Sequence, residues 1–188
     1  AKVALNNSEL EKIEKYYEEA AEAGANEYQI EQSKEETARM NAILGDPKRL
    51  QALAEDFVKH YENRISEGSS VKGKAMFVCS NREIAYELYK KIIALRPEWN
   101  EIKVAADNVV LPEDERKKIK PMERIKMVMT RGKDDDETLY KLLGTNDYRK
   151  TLDTEFKNEK SNFKIAIVVD MWLTGFDVPF LEIGRAHV

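Results

Sequence analysis

The stretch IAIVVDMWLTGFDVP, residues 165–179, holds the most chemistry in the chain: an apolar run ends in Asp170 and passes within a few residues into Thr174, Gly175, Phe176 and Asp177. A threonine can offer a hydroxyl and an amide to a phosphate. A glycine lets another backbone or a ligand come close, and an aspartate can accept from a sugar hydroxyl or orient an arginine. Two other places pair polar side chains with the end of an apolar run. Ser80 and Asn81 follow KAMFVCS and stand where a helix N-terminus would present free amides, a geometry suited to phosphate, although Ser80 could equally be a simple helix cap. Thr130, Arg131 and Gly132 follow RIKMVMT and offer a hydroxyl, a cation and close backbone approach, or an ordinary turn.

Three tempting matches fail on context. GSSVKGKA, residues 68–75, satisfies G-x-x-x-x-G-K, but Ala75 has no hydroxyl for magnesium, and the segment follows a helix and opens a strand where a phosphate-binding loop does the reverse. IAIVVD could be a Walker B strand with Asp170 on magnesium, yet no acid follows it and no genuine phosphate-binding loop partners it. Glu115 and Lys117 mimic a nuclease E-x-K inside a charge run that reads as a solvated face. Cys79 within a strand and His60 on a helix read as structural.

The elements that must position these residues change character near Gly68. Residues 1–67 are charge-rich and helical in pattern. SELEKIEKYYEEAAEAG has capping-box spacing between Ser8 and Glu11 and a stop at Gly24. A second helix is expected over roughly 27–44. The third, DPKRLQALAEDFVKHYENRISEG, has Asp46 as N-cap and Pro47 in its first turn, with Leu50, Leu53, Phe57, Val58, Tyr61 and Ile65 on one face. From Gly73 strands alternate with helices. KAMFVCS, RIKMVMT and FKIAIVVD are continuous apolar runs of strand length, as expected for parallel strands covered on both faces. Ser80 and Glu83 have capping-box spacing, and Ile84, Leu88 and Ile92 mark the buried face of a helix ending near Arg96–Pro97. Further helices are expected over about 137–157. EIKVAAD could add a strand, and PEDERKKIK reads as a surface insertion. The pattern predicts an α/β domain with a mainly parallel sheet flanked by helices, and ligands in such a sheet bind beyond the carboxyl ends of the strands.

Composition bounds the rest. With 188 residues, 42% hydrophobic and 35% charged, the chain can bury one core, and a net charge of -4 argues against nucleic-acid binding by bulk basicity. A single cysteine excludes a disulfide framework and a thiolate zinc site and suits a reducing cytoplasm. No apolar stretch is long enough to span a bilayer, and AKVALNN carries no secretory pattern. That start is expected to be internal to a longer protein. The last six residues, IGRAHV, back-translate to a sequence resembling a sequencing adapter, so residues 183–188 are expected to be a non-native tail after a C-terminal truncation.

AMFVCSNREIAYELYKKI, LRPEW, IKMVMT and IVVDMWLTGFDVPFL, in this order, resemble the second RecA-like domain of the motor (restriction) subunit of Type I restriction-modification enzymes, which are superfamily 2 DNA translocases. The first stretch is similar to helicase motif IV and the last to motif V, with residues 174–177 matching the family's T-G-F-D. The resemblance implies a helical linker over 1–45 and an incomplete RecA-like domain over 46–182. It also implies double-stranded DNA, the methylation and specificity subunits as partners, and a cytoplasmic location. It assigns Ser80, Asn81, Thr130 and Thr174 to the DNA phosphate track, and Gly175 and Asp177 to coupling with ATP. ATP and Mg2+ would be held through the first motor domain, so no catalytic or metal-binding residue is expected here, and the chain alone should neither hydrolyse ATP nor cut DNA. The family often shows V-M-T-G-S after the middle strand, whereas here the chain reads VMTRGKDDDE. Two rivals stay open: another superfamily 2 helicase, and a stand-alone α/β regulatory or binding module.

Overall fold

The computed structural model describes residues 27–66, 73–105 and 110–169, together with Lys15. Two helices lead: α1 (Glu27–Leu44) and α2 (Pro47–Ser66). Then come β1 (Ala75–Val78), α3 (Arg82–Leu95) and a 3-10 turn over Pro97–Asn100. The short α4 (Glu113–Arg116) and β2 (Ile125–Val128) precede two helices, α5 (Glu137–Leu143) and α6 (Asn146–Lys157), and β3 (Ile165–Val168) follows.

The three described strands form one parallel sheet in the order β1-β3-β2, so the last of them in sequence lies at the centre. Ala75 and Ile125 both stand in register with Ile165, and Val78 and Val128 with Val168. Every residue of β2 and β3 is buried, because helices cover both faces of the sheet. On one face Phe77, Ile125, Met127, Ile165 and Ile167 meet α2, α3 and α5. On the other, Val128, Ala166 and Val168 meet Leu152 and Phe156 of α6 and Phe163. Each large aliphatic side chain taken from water in this way contributes on the order of 1.5–3 kcal/mol.

The helix limits follow from local chemistry. Asp46 Oδ1 accepts from the amides of Lys48 and Arg49 at 3.0 and 2.9 Å, and Pro47 loses nothing at the first position, where no partner would exist for its amide. Leu50, Val58 and Tyr61 are buried as their spacing predicts, but Ile65 is 50% exposed because the sheet does not reach the last turn of α2. Ile84, Leu88 and Ile92 are all buried on α3. Arg96 ties α3 to α2 through both carboxylate oxygens of Glu62, at 2.5 and 2.6 Å, and this bond holds the Glu62 carboxyl below its usual range. Between α5 and α6 the chain breaks at Gly144, whose φ of 65° favours glycine, and Thr145 caps the next helix by accepting from Tyr148 N at 3.2 Å.

Two expectations are corrected. Residues 101–105 of EIKVAAD form no strand: Lys103 makes one antiparallel bridge to Met122 and Ala105 another to Ser161, too little to extend the sheet. The helix after β1 is capped by Asn81, not Ser80, because the chain turns one residue later than the capping-box spacing suggests. Residues 8–24 apart from Lys15, and the junction at Gly68, lie outside the described residues.

Candidate functional site: the carboxyl rim of the sheet

Parallel strands deliver their ends to one rim. After β1 the chain passes through Cys79, which is buried, to Ser80, which is exposed. Asn81 is extended (φ -150°, ψ 170°), and its Oδ1 accepts from Ile84 N at 2.9 Å, so the carboxamide oxygen is committed to the cap while the hydroxyl beside it stays at the surface. After β2, Met129 is buried and Thr130 exposed. The rim therefore shows two hydroxyls, one on each side of the central strand. Asp170, Thr174, Gly175 and Asp177 lie outside the described residues.

A contact that sequence reasoning missed joins the two loops. Arg82, the first residue of α3, donates from Nη1 to the Thr130 carbonyl at 2.5 Å and from Nη2 to both oxygens of Asp135 at 2.5 and 2.6 Å. Asp135 Oδ2 also accepts from Gly132 N at 2.6 Å. The side chains of Arg82 and Asp135 are only 13% and 2% exposed, and Arg82 Nε is buried without a partner. Gly132 packs closely on the pair: a Cβ would stand 3.1 Å from Asp135 Oδ1 and 3.4 Å from Arg82 Nη2, so Asp135 would have to give by a few tenths of an ångström. Next to this cluster Arg131 donates to the Tyr140 carbonyl at 2.8 Å and lies 4.0 Å from the centre of the Tyr140 ring. Asp136 caps α5 through Leu139 N at 2.9 Å.

One signal for Arg82 stood in the sequence. A cation at the first position of a helix opposes the positive end of the helix dipole, so it needs a specific partner. Asp135 was hidden among four consecutive acids, Asp134 to Glu137.

The remaining candidates separate cleanly. Burial pushes the Cys79 thiol up to about 12, which removes it as a nucleophile near neutrality. His60 is exposed, 3.4 Å from Asp56. Glu115 pairs with Lys160 at 2.5 Å and Lys117 with Glu113 at 2.9 Å on the surface. Lys74, the lysine of the G-x-x-x-x-G-K match, is buried at the opposite end of the sheet and donates to the carbonyls of Phe156 and Asn158, the latter at 2.8 Å, so it faces no phosphate. Among the described residues no group of three His, Cys, Asp or Glu side chains could hold a metal ion, and no helix is long and apolar enough to cross a membrane. What the rim can do chemically is hold an anion's oxygens by hydroxyl and amide donors.

Residues 71–183 match the family model described as Type I restriction enzyme subunit R domain 3. The chain is 39% identical over 137 residues to the Type I restriction enzyme HindI endonuclease subunit of Haemophilus influenzae, an alignment covering 73% of this chain and 11% of that protein. It is 32% identical over 171 residues to the putative type I restriction enzyme MjaIXP endonuclease subunit of Methanocaldococcus jannaschii, covering 90% of this chain and 14% of the relative. The chain thus spans only a small part of the curated relatives it matches. No solved structure matches it.

Proposed function

Because the chain belongs to the Type I restriction enzyme subunit R family, we propose that it is part of the second motor domain of an ATP-dependent, DNA-translocating endonuclease subunit. The observation that carries this reading is the family match over a parallel α/β sheet whose carboxyl rim exposes Ser80 and Thr130. In this reading the division of the chain is a helical linker over 1–45 followed by the motor domain over 46–182, in the cytoplasm.

Ser80, Asn81, Thr130 and Thr174 contact the phosphates of double-stranded DNA, Asn81 through its amide group since its oxygen caps α3. Gly175 and Asp177 transmit closure of the cleft against the first motor domain. In this reading ATP and Mg2+ are held through that other domain. Methylation and specificity subunits complete the assembly, and sequence recognition resides with them. Affinity for DNA is spread over many phosphate contacts, whereas closure depends on a few positioned groups.

The test uses the full-length subunit assembled with its partners. Ser80→Ala with Thr130→Ala should weaken DNA binding at fixed salt by roughly thirtyfold, leave the slope of log affinity against log salt unchanged, and slow translocation. Asp177→Ala should depress DNA-stimulated ATP hydrolysis and translocation while leaving DNA association nearly intact. Absence of DNA-stimulated ATP hydrolysis in the unaltered complex would end the motor reading. Near-normal velocity for Asp177→Ala with a lowered melting temperature would assign that residue to the turn before Pro179.

A further inference from the structure

We propose that Arg82 and Asp135 are a positioning pair that fixes the spacing of the Ser80 and Thr130 loops, so that both hydroxyls meet one DNA backbone together; this rests on the DNA-contacting role proposed for those two residues.

The argument starts from topology. β1 and β2 are not neighbours, because β3 lies between them, and the ladders that hold both to β3 run in register only to Val78 and Val128, before the loops that carry Ser80 and Thr130. By strand spacing the two loops stand about 10 Å apart. A side chain must span that gap if the loops are to move as one, and Arg82 does so. It leaves the chain two residues after Ser80, takes the carbonyl of Thr130 itself, and closes on Asp135, which in turn holds Gly132 N. The planar guanidinium makes three bonds in a fixed fork, which restrains direction as well as distance.

Stability alone is a poor reason for such a pair. Both side chains are withdrawn from water, and Arg82 Nε is left without an acceptor. Replacing a buried ion pair with apolar side chains of similar volume is often neutral or stabilising. The cation also sits at the end of a 14-residue helix where the dipole disfavours it. What the pair gives that leucine and methionine cannot is a directed link between the two loops. Gly132 is shaped to the same contact, since a side chain there would press on both partners.

The experiment compares four variants of the full-length subunit in its assembled complex, binding a duplex of mixed sequence at one fixed salt concentration. The double variant Arg82→Met with Asp135→Leu should melt near the unaltered protein yet bind roughly thirtyfold more weakly, as Ser80→Ala with Thr130→Ala does. Combining all four substitutions should bring no further loss, because a mispositioned hydroxyl and a missing one are equivalent. Arg82→Lys retains the charge without the fork and should weaken binding partway at an unchanged melting temperature. An affinity equal to that of the unaltered complex in either Arg82 variant, whether or not melting changes, would overturn the positioning role. If Ser80→Ala with Thr130→Ala itself leaves the affinity unaltered, the DNA-contacting role of the two hydroxyls fails first and this inference with it.

Discussion

The two ends of the sheet each bury a cation, and they treat it differently. At the amino end Lys74, only 1% exposed, is surrounded by backbone: it donates to the carbonyls of Glu155, Phe156 and Asn158 at the last turn of α6, the first and last of these at 3.3 and 2.8 Å. These carbonyls close the C-terminal end of α6, where Glu155 O also accepts from Asn158 N, so the lysine adds donors to that helix end from a distant strand. At the carboxyl end Arg82 is held by a carboxylate and a loop carbonyl, on segments that also present exposed hydroxyls. A cation satisfied by helix carbonyls anchors a finished element. A cation satisfied by a side chain two strands away ties together two loops beyond the reach of the ladder.

The comparison can be broken at its strongest point first. Asp135→Ala leaves the Arg82 charge buried and unpaired, and should cost about 3–5 kcal/mol, read from urea unfolding of the chain. A loss under about 1 kcal/mol would mean that water reaches the guanidinium, and the pair would cease to be a buried link.

Lys74→Met should come next, at about 2 kcal/mol, since the carbonyls lose their donor while the shape is kept. Its pH dependence sharpens the contrast. Burial is the largest influence on Lys74 and Lys164 adds to it, while Glu155 pulls the other way; together they lower the pKa from 10.5 to about 7. Above about 7 the folded lysine releases its proton while the unfolded one keeps it, so the unfolded chain binds more protons and stability rises with pH. Below that both states carry the charge and the contribution is flat. The difference between the unaltered chain and Lys74→Met should therefore widen between pH 7 and 9, with a slope of at most about 1.4 kcal/mol per unit. Melting curves of both proteins across that range decide it, and a constant difference would show that the carbonyls keep the ammonium charged.

The smallest effect belongs to Asn81→Ala. Removing the cap from α3 should cost about 1 kcal/mol, measured by urea unfolding, and Asn81→Ser should recover most of it. A neutral Asn81→Ala would mean that the start of α3 is held by the Arg82 contacts alone.

Much of this was readable from residue types. Asp46 followed by Pro47 announced α2, and three apolar runs without alternation announced strands covered on both faces, because those signals depend on neighbours in sequence. The ends of the strands were read too long: the ladder covers four residues of each, and the flanking Cys79, Met129 and Val169 are buried just beyond it. Position on the rim was legible for Ser80 and Thr130. The Arg82–Asp135 pair was not, since its partners are far apart in the chain and Asp135 resembles its neighbours Asp134 and Asp136 until the fold selects one of them. Lys74 escaped for the same reason. Nothing adjacent to it foretells the end of α6.

The central place of β3 sets an order of events during synthesis. β1 and β2 emerge from the ribosome long before the strand that pairs with both, and in the finished sheet neither pairs with the other. Until Val168 appears, two apolar strands and the helix faces packed on them have no template to close upon. The sheet therefore assembles in one late step across long sequence separations, which slows folding and lengthens the interval in which bare strand edges can meet other chains. A newly made chain of this design depends on β3 for protection as much as for architecture.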